Sequence, residues 1–66
     1  MDARLRRAIV WTKGQDLSAM YVAEVDGARW TIRLGDFPDE PLYTLAIAGV
    51  EVLSFDDWPP AWTRPA

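Results

Sequence analysis

The side chains of this chain that are able to support catalysis or metal binding are almost all carboxylates. Asp36, Asp39 and Glu40 lie in one short segment, and Asp56 and Asp57 are adjacent further along the chain. Histidine and cysteine are absent, which removes the commonest general base, the thiolate nucleophile and the usual zinc ligands. Carboxylates that converge either bind a hard cation such as calcium or magnesium, or work as an acid and base pair on a glycosidic bond.

Neither group of acids has the spacing that these chemistries need. The order Asp36-Phe37-Pro38-Asp39-Glu40 lacks the alternating acids, the central glycine and the distal glutamate of an EF-hand loop. A chain of 66 residues also leaves little room for the cleft that raises the pKa of a catalytic carboxyl group. We therefore interpret the carboxylates as solvated loop residues, and we predict a protein without catalytic residues, metal or cofactor.

Tryptophan is over-represented, with four in 66 residues where average composition gives about one. Trp58 and Trp62 flank Pro59-Pro60 near the C-terminus. Such a pair either packs as a lid on an apolar surface, which we favour, or stays exposed as an anchor for a partner protein. For the second case the candidate partner-binding residues are Trp58, Trp62, Phe37, Asp56 and Asp57.

The strongest structural signal is a pair of alternating apolar segments that meet at Asp26-Gly27. This dipeptide accepts the positive φ angles of a type I′ turn, so it predicts a β-hairpin with a two-residue loop. The loop sets the register, in which Ala23 faces Trp30, and a shift of one residue would invert both faces. The predicted apolar face carries Tyr21, Ala23, Val25, Ala28, Trp30, Ile32 and Leu34.

A second hairpin is predicted from residues 42–47 and 50–55, which flank Ala48-Gly49. This turn is weaker because alanine resists positive φ. In the simplest register Leu53 and Phe55 fall on the face opposite to the other apolar residues, which indicates either a bulge near Ser54 or a second surface covered by another segment. The pairs of this register are Ile47–Val50, Leu45–Val52 and Tyr43–Ser54.

The remaining segments complete a single domain, predicted over residues 1–62 with a frayed tail over 63–66. Residues 8–12 are rich in β-branched and aromatic side chains and predict a strand, which ends at a polar connector over 13–16. A short helix from Asp2, with Leu5, Ala8 and Ile9 on one face, is the alternative. We predict a mainly β fold, an antiparallel meander of four to five strands curled into a half-barrel with the Pro/Trp tail packed on it. The alternative is an α+β fold with a short N-terminal helix.

The formal net charge of -3 argues against a nucleic-acid-binding protein, which usually carries a basic surface. Arg7, Arg29 and Arg33 would form an aromatic and basic platform for a single strand if they shared a surface with Trp11. We favour the simpler interpretation, in which these arginines solvate the outer face of the sheet.

The edges of such a small sheet suggest a function. A meander leaves two edge strands, and an exposed edge pairs with a copy of itself or with another protein. We therefore predict a non-catalytic protein-interaction module, homodimeric through a strand edge or through the Trp surface. The alternatives are an acidic inhibitor of a basic protein, of the immunity or antitoxin kind, and a single-stranded nucleic-acid platform. No small-molecule ligand and no membrane partner are predicted, and the lack of cysteine and of a targeting segment predicts the cytoplasm.

Overall fold

A five-stranded antiparallel sheet forms most of the structure, a computed structural model that describes residues 3–16, 19–36 and 38–65. One short helix precedes the strands in this part of the chain: α1 (Ala3–Arg6), β1 (Ile9–Val10), β2 (Thr12–Asp16), β3 (Ala19–Val25), β4 (Ala28–Leu34), β5 (Tyr43–Ile47), β6 (Val50–Phe55) and β7 (Trp62–Thr63). Strands β2 to β6 are neighbours in chain order, and β1 pairs with β7 in parallel. The predicted mainly β meander is confirmed.

The hairpin of β3 and β4 has the register that the sequence predicts. Asp26 and Gly27 have φ angles of 54° and 80°, the positive values that a type I′ turn requires. Ala23 lies opposite Trp30, and both are buried. The neighbouring pair Glu24 and Arg29 is exposed on the outer face. Alternation and turn chemistry therefore agree on one arrangement, which is why this register is strongly specified.

The hairpin of β5 and β6 follows the prediction only at its turn. Ile47 lies opposite Val50 as expected, but the register then shifts, so that Leu45 faces Leu53 and the predicted pair of Leu45 with Val52 is wrong. The extra residue is Val52, and it forms a β-bulge close to Ser54, near which a bulge was one of the two expectations. The bulge reverses the face to which the later side chains of β6 point. This reversal places the apolar side chains of that part of the strand on the core. The pairs that replace the predicted ones are Leu45–Leu53, Thr44–Ser54 and Tyr43–Phe55.

The N-terminal segment combines the two predicted alternatives, since the single turn of α1 precedes strand β1. The proposed helix start at Asp2 lies outside the described residues. The prediction of a polar connector over residues 13–16 is wrong, because these residues belong to β2 and pair with β3 in an irregular register. Gly14 makes this pairing feasible: a Cβ atom there would overlap the backbone carbonyl oxygen of Ala19, so only glycine allows the two strands to approach so closely.

The core lies on one face of the sheet, beneath the C-terminal tail. Strand β7 pairs with β1, with Ile9 opposite Trp62, and the Trp11 amide donates a hydrogen bond to the Thr63 carbonyl at 3.1 Å. Thr63, the first residue of the segment predicted to fray, lies opposite Val10 in this pair. The predicted packing of the tail on the sheet is confirmed. The buried apolar residues are Ile9, Trp11, Ala23, Val25, Trp30, Ile32, Tyr43, Leu45 and Trp62.

Candidate functional site

An aromatic cluster joins the tail to the sheet. The Trp62 ring lies 5.0 Å from that of Trp11 and 5.4 Å from that of Phe55, measured between centroids. The Trp58 ring lies 5.0 Å from Tyr21 and 5.5 Å from Tyr43. These rings meet edge to face or tilted, the arrangements that the charge distribution of aromatic rings favours. The cluster therefore holds the tail in one position.

A turn at the two prolines and two indole hydrogen bonds fix the tail tryptophans. The Trp62 amide donates to the Pro59 carbonyl at 3.1 Å, which closes a turn with Pro60 at the second position, where its fixed φ suits the backbone. The Trp62 Nε1 donates to the Arg4 carbonyl at 3.0 Å, and the Trp58 Nε1 donates to the Trp62 carbonyl at 3.1 Å. Both polar ends of the indoles are thus satisfied by backbone oxygens.

Burial separates the two tryptophans that were predicted to act together. Trp62 is only 3% exposed, as the favoured lid requires, and it is not available as the exposed anchor that was the alternative. It is buried because the turn at the prolines directs its ring onto Trp11 and Phe55. Trp58 is half-buried and keeps part of its ring accessible.

Trp58 lines a groove of about 310 Å³, which we call the Trp58 groove. Its walls are mostly apolar, and its charged members are carboxylates. Asp56 and Asp57 are both exposed there. The Asp56 Oδ1 also accepts a hydrogen bond from the Leu42 amide at 3.0 Å, which ties the groove to the end of the loop between β4 and β5. The residues that line the groove are Leu5, Phe55, Asp56, Asp57, Trp58, Pro59 and Pro60.

A cation already lies on the Trp58 ring. The guanidinium carbon of Arg64 is 5.2 Å from the ring centroid, within the range of a cation–π interaction. Tryptophan is the aromatic residue that attracts cations most strongly. The Trp58 groove is therefore chemically suited to a positively charged group beside apolar surface.

The sequence predicted part of this site. Asp56, Asp57 and Trp58 come together as expected, whereas Phe37 lies outside the described residues. Leu5 and Arg64 were missed, because they come from opposite ends of the chain and carry no local signal of a shared site. In residues 3–16, 19–36 and 38–65 no group of three or more acids is placed to hold a metal ion.

The residues of the disfavoured alternative, a nucleic-acid platform, do not form an aromatic and basic surface, because Trp11 is buried. Trp11 is 1% exposed, and it lies in the core because its ring packs against the tail tryptophans. Its Nε1 has no hydrogen-bond partner among the described residues. Arg7 forms an ion pair with Asp26 at 2.8 Å, and Arg33 forms one with Glu51 at 2.6 Å. Arg29 is exposed on the outer face of β4.

These two ion pairs also change the titration of their carboxyl groups. A hydrogen bond from the Arg7 guanidinium, helped by its charge, holds the pKa of Asp26 below its usual value. Arg33 lowers the pKa of Glu51 in the same way. Both carboxylates are thus favoured in their charged form, and the two arginines are partly neutralised within the chain.

A larger depression of about 610 Å³ lies along β2 and β3. Its charged residues are of both signs, with Lys13 and Arg29 near Asp16 and Glu24. A surface of mixed charge selects no single kind of ligand, so we take the Trp58 groove as the candidate site.

Comparison of the chain with protein-family models, with curated proteins and with solved structures gives no match. The only helix in the described residues, α1, is far too short to cross a bilayer. Function therefore has to be argued from the groove and the sheet themselves.

Proposed function

We propose that this protein is a non-catalytic protein-interaction module whose Trp58 groove binds a positively charged segment of a partner protein. The observation that carries the proposal is the half-buried Trp58 ring, which already interacts with the guanidinium of Arg64 and lies between apolar walls and two carboxylates. Arginine and lysine side chains match this surface, because their aliphatic stems pack on apolar groups while the charged end reaches an acid.

Charge supports a basic partner. The chain carries a formal net charge of -3, and the charged residues that line the Trp58 groove, Asp56 and Asp57, are both acidic. Complementary charge speeds association and selects against acidic partners. An arginine of the partner would take the place of Arg64 on the Trp58 ring. The contact between Arg64 and Trp58 therefore competes with the partner and lowers the affinity of the protein for it.

A second candidate is an acidic inhibitor that masks a basic protein over a wider surface. The hydrogen bond from the Leu42 amide to Asp56 favours it, because it brings the end of the acidic loop of residues 36–40 beside the groove. In that case Asp39 and Glu40 would contribute as much as the groove acids. The two candidates therefore differ in which carboxylates matter.

The test titrates the full chain with a fluorescently labelled oligoarginine peptide and follows binding by anisotropy and by amide chemical shifts. An oligolysine peptide tests whether the guanidinium group is needed, and an oligoglutamate peptide tests whether the sign of the charge matters. We expect oligoarginine to bind best, with shifts concentrated at the Trp58 indole. Asp57→Asn should weaken binding by about fivefold, the scale of one partly desolvated charge contact.

Asp39→Asn is the matched control, since it makes the same change in charge outside the groove. Binding that Asp57→Asn weakens and Asp39→Asn leaves unchanged supports the Trp58 groove. Equal losses in the two variants support the wider acidic surface instead. Shifts that avoid Trp58 would overturn the Trp58 groove as the binding site, and equal binding of oligoglutamate would overturn both candidates.

A further inference from the structure

The two edge strands of the sheet differ in how well they are protected. The exposed residues of strand β2 are polar and include Lys13 and Asp16, and the register of β2 with β3 is irregular. Lysine and other charged side chains are a common means of preventing an edge from pairing with another strand, and they distinguish the two edges, since both have an irregular register. Strand β6 instead exposes apolar side chains, with Val50 at 64% and Val52 at 39%. The β6 edge is therefore the one suited to receive another strand.

Strand β6 contains one charged residue, and its charge is compensated within the chain. Glu51 accepts a hydrogen bond from the Arg33 Nε at 2.6 Å, across the intervening strand β5. A carboxylate held in this way does little to repel an incoming strand. The edge thus presents an unpaired backbone with valine side chains and no free charge of its own.

The order of side chains along β6 reads the same in both directions. The segment Val50-Glu51-Val52-Leu53-Ser54-Phe55 is apolar, polar, apolar, apolar, polar and apolar. The bulge at Val52 makes the faces agree with this order, because residues directly opposite each other in antiparallel strands share a face. The apolar ends Val50 and Phe55 oppose Ile47 and Tyr43 on the core face, whereas Glu51 and Ser54 oppose Ala46 and Thr44 on the outer face.

We propose that the partner of the β6 edge is a second copy of this chain, paired antiparallel about a two-fold axis between Val52 and Leu53. In this register apolar residues meet apolar residues on the core face, and polar residues meet polar residues on the outer face. A shift by one or two residues would set Glu51 opposite Leu53 or Val52 in one direction, and opposite Phe55 or Asp56 in the other. The pairs between the two copies are Val50 with Phe55, Glu51 with Ser54, and Val52 with Leu53.

This assembly closes after two copies. Each chain uses its single β6 edge, so the two five-stranded sheets join into one continuous sheet with a β2 strand at each end. The β2 edges carry polar and charged side chains, which stops further growth. The contact is the same patch on both chains, as a two-fold dimer requires. It goes beyond the proposed function, because it uses the sheet edge rather than the ring of Trp58.

The first test measures the mass of the full chain by light scattering and sedimentation equilibrium from micromolar to millimolar concentration. We expect a reversible dimer. Val52→Lys places two lysines on either side of the two-fold axis and should raise the dissociation constant by at least about tenfold, because two like charges then lie close together in the contact. Val10→Lys is the matched control: Val10 is 72% exposed in β1, away from the edge, and this variant should still dimerise.

The second test examines the register. Ser54→Lys introduces an ammonium group opposite Glu51 of the other copy and should preserve or tighten the dimer, whereas Ser54→Glu places two carboxylates together and should weaken it. Circular dichroism and thermal unfolding confirm that each variant is folded. A monomer at millimolar concentration, equal dissociation by Val10→Lys and Val52→Lys, or equal weakening by the two Ser54 variants would each overturn the proposal. Oligoarginine binding by folded Val52→Lys is a separate readout, so failure of the dimer and failure of the Trp58 groove are distinguishable.

Discussion

The indole Nε1 of Trp62 donates a hydrogen bond to the backbone carbonyl of Arg4 at 3.0 Å, so the tail is attached to α1 as well as to the sheet. Trp11 lies 5.0 Å away in the same cluster and is equally buried, yet its Nε1 has no partner among the described residues. Two tryptophans in one core therefore differ mainly in whether the polar end of the ring is used.

This difference predicts unequal effects of the same substitution. Trp62→Phe removes ring volume and the hydrogen bond to Arg4, whereas Trp11→Phe removes volume alone. We expect Trp62→Phe to lower the free energy of unfolding by about 1 to 2 kcal/mol more than Trp11→Phe does. Urea denaturation monitored by circular dichroism measures both values. Equal losses would show that the Arg4 contact does not stabilise the fold.

The turn between β5 and β6 is strained at Ala48, whose φ angle of 53° is rare for a residue with a side chain. Its amide also donates to the Arg29 carbonyl at 2.8 Å, so the residue has to keep its N–H group. Ala48→Asn retains the amide and creates the Asn-Gly pair that type I′ turns prefer. We expect a gain of about 0.5 to 1 kcal/mol in the free energy of unfolding.

Asp26→Asn is the control for this prediction, since it makes an Asn-Gly turn at the equivalent position of the first hairpin without relieving an alanine. It also removes the ion pair with Arg7, so both variants are compared in added sodium chloride, which screens that pair. Thermal unfolding of both variants provides the comparison. A gain in Ala48→Asn that Asp26→Asn does not share is expected. A loss of stability in Ala48→Asn would contradict the assignment of strain to this turn.

The two surface ion pairs predict part of the acid sensitivity of the fold. The pKa values of Asp26 and Glu51 are lowered in the folded state by Arg7 and Arg33. A carboxyl group with a lowered folded pKa stabilises the protein above its unfolded pKa, and this stability is lost as the pH falls through the folded value, from about pH 5 downward. Because all four groups are exposed, the effect is modest and is screened by salt.

We therefore expect the double variant Asp26→Asn with Glu51→Gln to lose less melting temperature in acid than the parent at low salt. The comparison of melting temperatures at neutral and acidic pH, with and without added sodium chloride, checks this. Identical acid profiles at low salt would show that other carboxyl groups control the acid response.

The contact between Arg64 and Trp58 predicts a variant that binds better than the parent. Arg64→Ala frees the ring for a cation of the partner and should tighten oligoarginine binding by about two- to fivefold relative to Arg29→Ala. Arg29→Ala is the control because it removes the same charge from the outer face of β4. Equal affinities of the two variants would mean that the gain is a matter of net charge and that Arg64 does not compete for the ring.

Sequence reasoning succeeded where the determinants are local. Asp26-Gly27 and the alternation on either side of it specify the first hairpin pair by pair, because turn type, register and apolar face all follow from neighbouring residues. Asp56, Asp57 and Trp58 were likewise found together because they are adjacent in the chain.

It failed where distant segments decide. The bulge at Val52 is favoured because it turns Phe55 toward Trp62, a residue of the tail that the hairpin pattern does not contain. No turn residues and no alternating pattern in the sequence indicate the parallel pairing of β1 with β7. From the sequence alone, Gly14 is typical of a connector. The structure shows that the strand needs glycine there, because the backbone of Ala19 lies so close.

The order of the strands along the chain matters during folding. Strands β2 to β6 each pair with a neighbour in chain order, whereas β7 has to reach β1 from the other end of the chain. Pairings between consecutive strands form quickly, so closure by the tail is expected to come later. Until it does, the rings of Trp11 and Tyr43 face water on an open sheet, and a chain held at that stage would be an early target for chaperones and for aggregation.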